Sequence, residues 1–262
     1  MGRIADAFTT LKQNGKKGFI PYITAGDPDL ATTEQLLITI APYATLIELG
    51  VPFSDPMADG PVIQRASERA LKHDFGLQDI LDAAARAQKQ IDTPIILFSY
   101  YNPLLQFGLK RLAQAAKDAG VDGVLVTDLT PEESGEFEAE LRAHDLDMIF
   151  LIAPTSTDER LKLVAEHASG FIYAVSRAGV TGAREKVSEE AEKLVERMRH
   201  YSSLPIAVGF GISNAEQVAD VSRYADAVVV GSAIVAEMER LADAPGLVDG
   251  VGQFLDRITG FS

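Results

Sequence analysis

Eight short apolar runs alternate with helical stretches along this 262-residue chain, and that alternation limits its fold more than any other feature. The runs are Phe19–Thr24, Ala44–Leu49, Pro94–Ser99, Gly123–Thr127, Met148–Ile152, Phe171–Val175, Pro205–Val208 and Ala227–Val230. Segments such as Ile95-Ile96-Leu97-Phe98 and Val228-Val229-Val230 are continuously apolar, the pattern of strands covered by protein on both faces. Helical periodicity fills the intervals, over Thr32–Ala41, Pro61–His73, Leu77–Gln90, Leu109–Ala119, Pro131–His144, Asp158–His167, Ser188–Tyr201, Asn214–Ser222 and onward to Ile258. Thr130-Pro131-x-Glu133, Ser156-x-x-Glu159 and Ser213-x-x-Glu216 each place a capping hydroxyl three residues before a glutamate, which marks helix starts. Ahead of the first strand, Ile4, Ala7, Phe8 and Leu11 share one helical face, suited to plugging one end of a barrel. No linker or low-complexity segment interrupts the series, and a closed (β/α)8 barrel typically takes about 250 residues. The expected fold is therefore α/β, a single TIM barrel over residues 1–262 with an extra N-terminal helix. A doubly wound open sheet is the alternative, but it usually needs fewer strands.

Barrels of this kind build their sites at the C-terminal strand ends, so the residues there define the available chemistry. In chain order they are Tyr22, Thr24 and Asp27, then Glu48 with Asp59 in the following loop, then Tyr100 and Asn102. Thr127, Asp128 and Thr155 come next, followed by Tyr173, Ser176 and Arg177. The four histidines, His73, His144, His167 and His200, fall on or beside helices, and cysteine is absent, which argues against a catalytic zinc or iron site. No strand end carries a lysine, so Schiff-base chemistry lacks its nucleophile. Acid–base catalysis by carboxylates, aided by hydroxyls, is what remains.

Glu48 sits near the end of an apolar strand, and Asp59 on a Pro/Gly-rich loop that leads to Pro61, a residue suited to the first turn of a helix. Two carboxylates in different surroundings can divide acid and base roles, because burial raises one pKa while solvation leaves the other ionised. The plainer alternatives are a strand-end Glu48 reaching solvent and an Asp59 that caps the helix beginning near Pro61.

The loops after the last two strands point to an anion. Gly209-Phe210-Gly211-Ile212-Ser213 and Gly231-Ser232-Ala233-Ile234 each lead into a helix, and small residues let backbone N–H groups approach a phosphate there. Tight turns without a ligand are the alternative. Such a cradle needs no lysine or arginine, which suits a chain whose 24 basic and 38 acidic residues leave a net charge of −14. The same charge argues against nucleic acid or an anionic membrane as a partner. No signal core and no run of membrane-spanning length is present in the sequence, so the expected location is the cytoplasm. After the sixth strand, Ser176 to Lys186 is longer than an ordinary βα loop of about two to six residues and reads as a lid over the site. The loop Tyr101 to Gly108 is apolar for a rim, and either docks a protein or packs on itself.

Taken together, Leu46-Ile47-Glu48-Leu49-Gly50-Val51-Pro52-Phe53-Ser54-Asp55-Pro56-x-Ala58-Asp59-Gly60-Pro61-x-Ile63-Gln64 resembles the signature of the tryptophan synthase alpha chain family. Ser176-Arg177-x-Gly179-Val180-Thr181-Gly182, Gly209-Phe210-Gly211-Ile212 and Val230-Gly231-Ser232-Ala233-Ile234-Val235 extend the resemblance in order along the chain. The resemblance implies a lyase that cleaves indole-3-glycerol phosphate to indole and glyceraldehyde 3-phosphate. It implies Glu48 as the proton shuttle and Asp59 as the anion that steadies the indole N–H. Phosphate binding falls to Gly182, Gly211, Gly231 and Ser232, with Phe210 adjacent, and Thr181 in the lid would meet Asp59 on closure. The implied indole pocket is Tyr22, Phe98, Leu125, Thr127, Leu151 and Tyr173. No metal or cofactor is implied in this chain. Pyridoxal phosphate belongs to the family's beta chain, with which an α2β2 heterotetramer is expected through Pro52-Phe53-Ser54-Asp55 and Tyr101 to Gly108.

Two positions depart from the family pattern, which often has Phe where Tyr22 stands and Ala where Thr127 stands; both add hydroxyls to the pocket. Three other functions are conceivable: a stand-alone lyase that releases free indole, a silent subunit that only activates a partner, and a sugar-phosphate isomerase. Intact Glu48 and Asp59 speak against the second, and the lack of strand-end His and Lys against the third.

Overall fold

The computed structural model describes residues 2–175, 184–209 (side chains from 189 onward), 211–242 and 246–259. Through them the chain runs α1 (Arg3–Gln13), β1 (Gly18–Thr24), α2 (Leu30–Ile40), β2 (Ile47–Gly50), α3 (Pro61–Ala70), α4 (Leu77–Gln88), β3 (Ile95–Ser99), α5 (Tyr101–Phe107), α6 (Leu109–Asp118) and β4 (Gly123–Val126). It continues through α7 (Gly135–Ala143), β5 (Asp147–Ile152), α8 (Asp158–His167), β6 (Ile172–Val175), α9 (Arg184–Arg199), β7 (Ile206–Gly209), α10 (Ala215–Ser222), β8 (Ala227–Val230), α11 (Ser232–Leu241) and α12 (Leu247–Thr259). The strands pair in parallel, each with the next, and β8 returns to β1 to close the barrel. The eight expected strands are all present, and the fold is the TIM barrel that the alternation predicts.

Side chains alternate across each strand, so one set points outward under the helices and the other fills the barrel. Leu36, Leu97, Val124, Phe150 and Val208 belong to the outer core. Ile20, Leu46, Ile96, Leu125, Ile149 and Ala207 belong to the inner one. Two buried faces are why the strands read as continuous apolar runs. Helix α1 covers the N-terminal end of the barrel: Ile4 and Phe8 join the inner core, and the Phe8 ring lies 5.9 Å from that of Phe171. Arg3 ties this plug down, with hydrogen bonds to the Gly120 carbonyl (3.3 Å), Asp122 (3.1 Å), Gln88 (3.1 Å) and the Asp92 carbonyl (2.8 Å). Across the barrel Arg199 repeats the motif on the Tyr224 carbonyl and Asp226. Asp122 and Asp226 in turn accept the first N–H of β3 and β7, closing backbone donors that the ladders leave open.

Local starts differ from the sequence expectation in register. Thr157, not Ser156, caps α8 by accepting the Arg160 N–H. Asn214, not Ser213, caps α10 by accepting the Gln217 N–H (2.9 Å), while Gln217 Oε1 takes the Ser213 N–H (2.7 Å). In each case a second capping residue follows the expected one, and the frame moves by one. The stretch expected as one helix from Pro131 to His144 breaks into a 3-10 turn, Pro131–Glu133, and α7. There the Ser134 hydroxyl donates to the Pro131 carbonyl, and Thr130 bonds the Glu133 side chain rather than a backbone N–H. The rim stretch Tyr101 to Gly108, expected as a loop, is mostly helix α5, started by Asp128 accepting the Tyr101 N–H at 2.7 Å. Leu104 packs inward and is fully buried, while Leu105 is left 47% exposed.

Candidate active site

Glu48 lies on β2 opposite Tyr22 of β1 and points into the barrel. It is 1% exposed, so it does not reach solvent from a strand end, and its Oε1 has no hydrogen-bond partner in the protein. Burial alone drives its carboxyl well above the usual carboxylate range. Asp59, in the loop after β2, is also pushed up, to about 6, by burial; a hydrogen bond from Tyr100 opposes the rise. That corrects the expectation of an ordinary solvated carboxylate, although the group is still mostly ionised at neutral pH. Nor does Asp59 cap α3. Gly60 holds the N-cap position with no side-chain bond, and Pro61 opens the helix.

Two tyrosines stand near Glu48. Tyr22 meets the Phe98 ring edge-on at 5.3 Å and reaches Thr24 Oγ1 at 3.3 Å. Tyr173 is 6% exposed. Burial raises the pKa of both hydroxyls, and the neighbouring carboxylates raise it further, chiefly Asp59 for Tyr22 and Glu48 for Tyr173. Both carboxylates therefore act on both tyrosines. Each tyrosine depends on a glycine of the next strand. A Cβ on Gly50 would stand 2.1 Å from the Tyr22 hydroxyl, and one on Gly209 would stand 2.1 Å from that of Tyr173. Gly209 thus makes room for a side chain, a different role from the anion turn the sequence suggested for it.

Phe98, Leu125 and Leu151 complete the inner wall with Tyr173. Phe98 also touches the Tyr22 cluster with Ala66 and Val235. Thr127 lies just past β4, its N–H on the Ser99 carbonyl at 2.9 Å and its hydroxyl near the same atom at 3.4 Å. The expected pocket residues therefore converge on the C-terminal half of the barrel interior.

On the other side, Gly211 takes a left-handed conformation at φ +83°, with open space where a Cβ would stand. Gly231 is the N-cap of α11 and Ser232 its first residue, and no side chain caps that helix. Helix α10 is capped by Asn214, so α11 is the start whose N–H groups stay open to an anion. Phe210, Thr181, Gly182 and the lid stretch from Ser176 to Ala183 lie outside the described residues.

Two inventory carboxylates serve structure instead. Asp27 is 2% exposed and holds Arg69 in a bidentate pair at 2.8 Å, and Arg69 also pairs with Glu239 of α11. Asp128 starts α5. Among the described residues no cluster of His, Cys, Asp and Glu is placed to hold a metal ion. Tyr100 is the residue to which the sequence assigned no role; its place at the end of β3, one strand from the Asp59 loop, was the available signal.

A buried carboxylic acid with a spare oxygen, a second carboxylate ionised above about pH 6, and an apolar wall suit proton transfer to a flat apolar substrate that carries an anionic tail. Known proteins place the chain accordingly. The family model described as tryptophan synthase alpha chain matches residues 8–249. The tryptophan synthase alpha chain of Geobacter sulfurreducens is 52% identical over 245 residues, 93% of each chain. The alpha subunit structure from Legionella pneumophila superposes with a TM-score of 0.91 at 38% identity, covering 99% of this chain and 98% of that one. A chain from the Pyrococcus furiosus tryptophan synthase α2β2 complex does so at 0.86 and 39%, covering 93% and 98%. Fold, buried carboxylates and whole-length similarity agree: the chain belongs to the tryptophan synthase alpha chain family.

Proposed function

We infer that this chain cleaves indole-3-glycerol phosphate to indole and glyceraldehyde 3-phosphate, the lyase step of the alpha subunit in tryptophan biosynthesis. The observation that carries this reading is that buried Glu48 and Asp59 both act on Tyr22 and Tyr173, at the positions the family signature marks.

Indole leaves easily only when C3 is protonated, which places positive charge on the ring. Glu48 is protonated by virtue of its burial, and its unpartnered Oε1 is free to face the substrate. It delivers the proton to C3, and as the resulting carboxylate it takes the proton of the glycerol hydroxyl while the carbon–carbon bond breaks. The electron pair of that bond returns to the ring, the hydroxyl carbon becomes the aldehyde, and the protons balance. Asp59, ionised at neutral pH, faces the ring N–H and offsets the transient charge. Phe98, Leu125, Leu151 and Tyr22 hold the ring, with Thr127 and Tyr173 at its edge. Gly211, Gly231 and Ser232 receive the phosphate at the open start of α11, and Phe210, Thr181 and Gly182 complete that side by family resemblance.

The chain needs no cofactor of its own on this reading; pyridoxal phosphate sits in the beta chain, which receives the indole. Pairing with a beta chain is favoured over a stand-alone lyase by the resemblance to the P. furiosus complex. Apolar groups exposed on the same rim support it as well: Met57 at 90% and Leu105 at 47%. A cytoplasmic location goes with this role; no described helix is long and apolar enough to cross a membrane. The test supplies indole-3-glycerol phosphate with and without a purified beta chain and measures indole. Cleavage by the chain alone that quickens when the beta chain is added is the expected result. No indole in either case overturns the function, and equal rates overturn the partner.

A further inference from the structure

We propose that Tyr100 is a positioning residue for this reaction: from the end of β3 its hydroxyl pins the loop between β2 and α3 and presents Asp59 to the substrate as an anion. This rests on the role proposed above for Asp59.

The geometry is specific. Tyr100 is 4% exposed, and its hydroxyl, which also feels the Thr127 side chain, takes part in two bonds of opposite sense. It accepts the Ala58 N–H at 2.8 Å and donates to Asp59 Oδ2 at 3.1 Å. Accepting from the backbone amide turns its own proton toward the carboxylate and strengthens that donation. The ring of the same residue packs on Phe53, with centroids 5.2 Å apart and planes at 35°. One side chain therefore holds the loop near its start, through Phe53, and near its end, through Ala58 and Asp59. The loop's Pro56 and Asp59 carbonyls also receive the Gln64 amide, which fixes its junction with α3.

The electrostatics give that bond a second consequence. Burial favours the neutral form of Asp59, and the Tyr100 bond is the one influence that opposes it. The titratable groups that feel Asp59 are Tyr22, Tyr173 and Tyr100 itself, and burial keeps all three hydroxyls neutral. No arginine, lysine or histidine among the described residues acts on it. Among the described residues, the anion proposed to face the indole N–H is held by one neutral donor. A charge-bearing hydrogen bond of this kind is strong relative to a neutral one, so its loss is felt in the titration of the carboxylate.

Tyr100→Phe removes the hydroxyl and keeps the ring on Phe53. The Asp59 carboxyl is followed by 13C NMR titration in a Glu48→Gln background, which silences the other carboxylate of the candidate site; Asp59→Asn assigns the signal. Loss of the bond is expected to move the midpoint up by about one to two pH units. In the otherwise wild-type enzyme, kcat at pH 7 then falls roughly two- to tenfold, as the ionised fraction drops, and the deficit closes toward pH 9. KM changes little. An unmoved midpoint, or a kcat lowered by one factor at every pH, overturns the proposal, since misplacement of the loop alone gives the latter. The titration is read without substrate, so it judges the Tyr100 bond separately from the function: an unmoved midpoint sinks the bond, and a wild-type chain that makes no indole sinks the reading on which it rests.

Discussion

Replacing Glu48 with glutamine should slow the enzyme and stabilise the protein, and the second effect should depend on pH. The side chain is 1% exposed and one of its oxygens has no protein partner. Its carboxyl is raised well above the ordinary value of 4.5 by burial. The folded state therefore binds more protons than the unfolded one from about pH 4.5 upward. Stability is highest below that point and declines as pH rises, until the folded midpoint is passed. One group sets a slope of at most about 1.4 kcal/mol per pH unit. Glutamine has the shape of the protonated acid and no charge to desolvate, so it removes this slope. For a chain of this size the gap in Tm between variant and wild type should widen by about 3 °C per pH unit from about pH 5 upward, until the folded midpoint is passed. Asp59, with its midpoint at about 6, bends both curves alike and cancels in the difference. Thermal melts of both proteins at four pH values measure the gap, and the same preparations give kcat. Loss of general acid–base catalysis is worth about 10²–10⁴-fold, and one group serving two transfers belongs at the upper end. A Tm gap that is constant with pH, or that shrinks as pH rises, would refute the buried-acid argument. A variant that retains more than about a tenth of wild-type kcat would refute the shuttle and turn attention to Tyr173.

Asp59→Asn removes the anion opposite the ring N–H; kcat should fall far more than KM rises, and the acidic limb of the kcat profile near pH 6 should vanish. A limb unchanged in steady-state assays would assign it to another group. Gly211→Asp puts a carboxylate where an anion is to be bound, and KM for indole-3-glycerol phosphate should rise steeply. Gly211→Ala, which adds only the strain of a side chain at φ +83°, about 1–2 kcal/mol by melting, should move KM much less; equal KM values in the two variants would remove the phosphate from Gly211. Phe8→Ala opens the plug beneath Phe171 and should cost about 3–5 kcal/mol in denaturant unfolding, with KM unchanged, because the plug lies at the end of the barrel away from the site.

The fold and the buried carboxylate of the candidate site were legible for different reasons. Strand and helix periods are local properties, and eight repeats of the same unit leave few closed arrangements, so the barrel could be read from spacing alone. The plug was legible in the same way, from Ile4, Phe8 and Leu11 on one face. Glu48 stood out because a carboxylate inside an apolar strand is costly without a purpose. Exact caps were not legible, because Ser156 with Thr157 and Ser213 with Asn214 offer two adjacent side chains, and only the folded backbone chooses between them.

What the chain determines by itself is therefore periodic or compositional: the order of strands, the two buried faces, the residue types on offer at the strand ends, and the signature that marks the family. What only the tertiary structure decides is pairing across units distant in sequence. Asp59 was read as a solvated carboxylate, but it is partly buried and held by Tyr100, which lies 41 residues away on the next strand. Gly209 read as part of an anion turn, but it clears space for Tyr173, as Gly50 does for Tyr22 on the neighbouring strand. Asp27 read as a site candidate, but Arg69, 42 residues on, engages it. A carboxylate's pKa and a glycine's purpose depend on what stands within a few ångströms, and in a parallel barrel those neighbours come from the next unit along, a distance that no local pattern encodes.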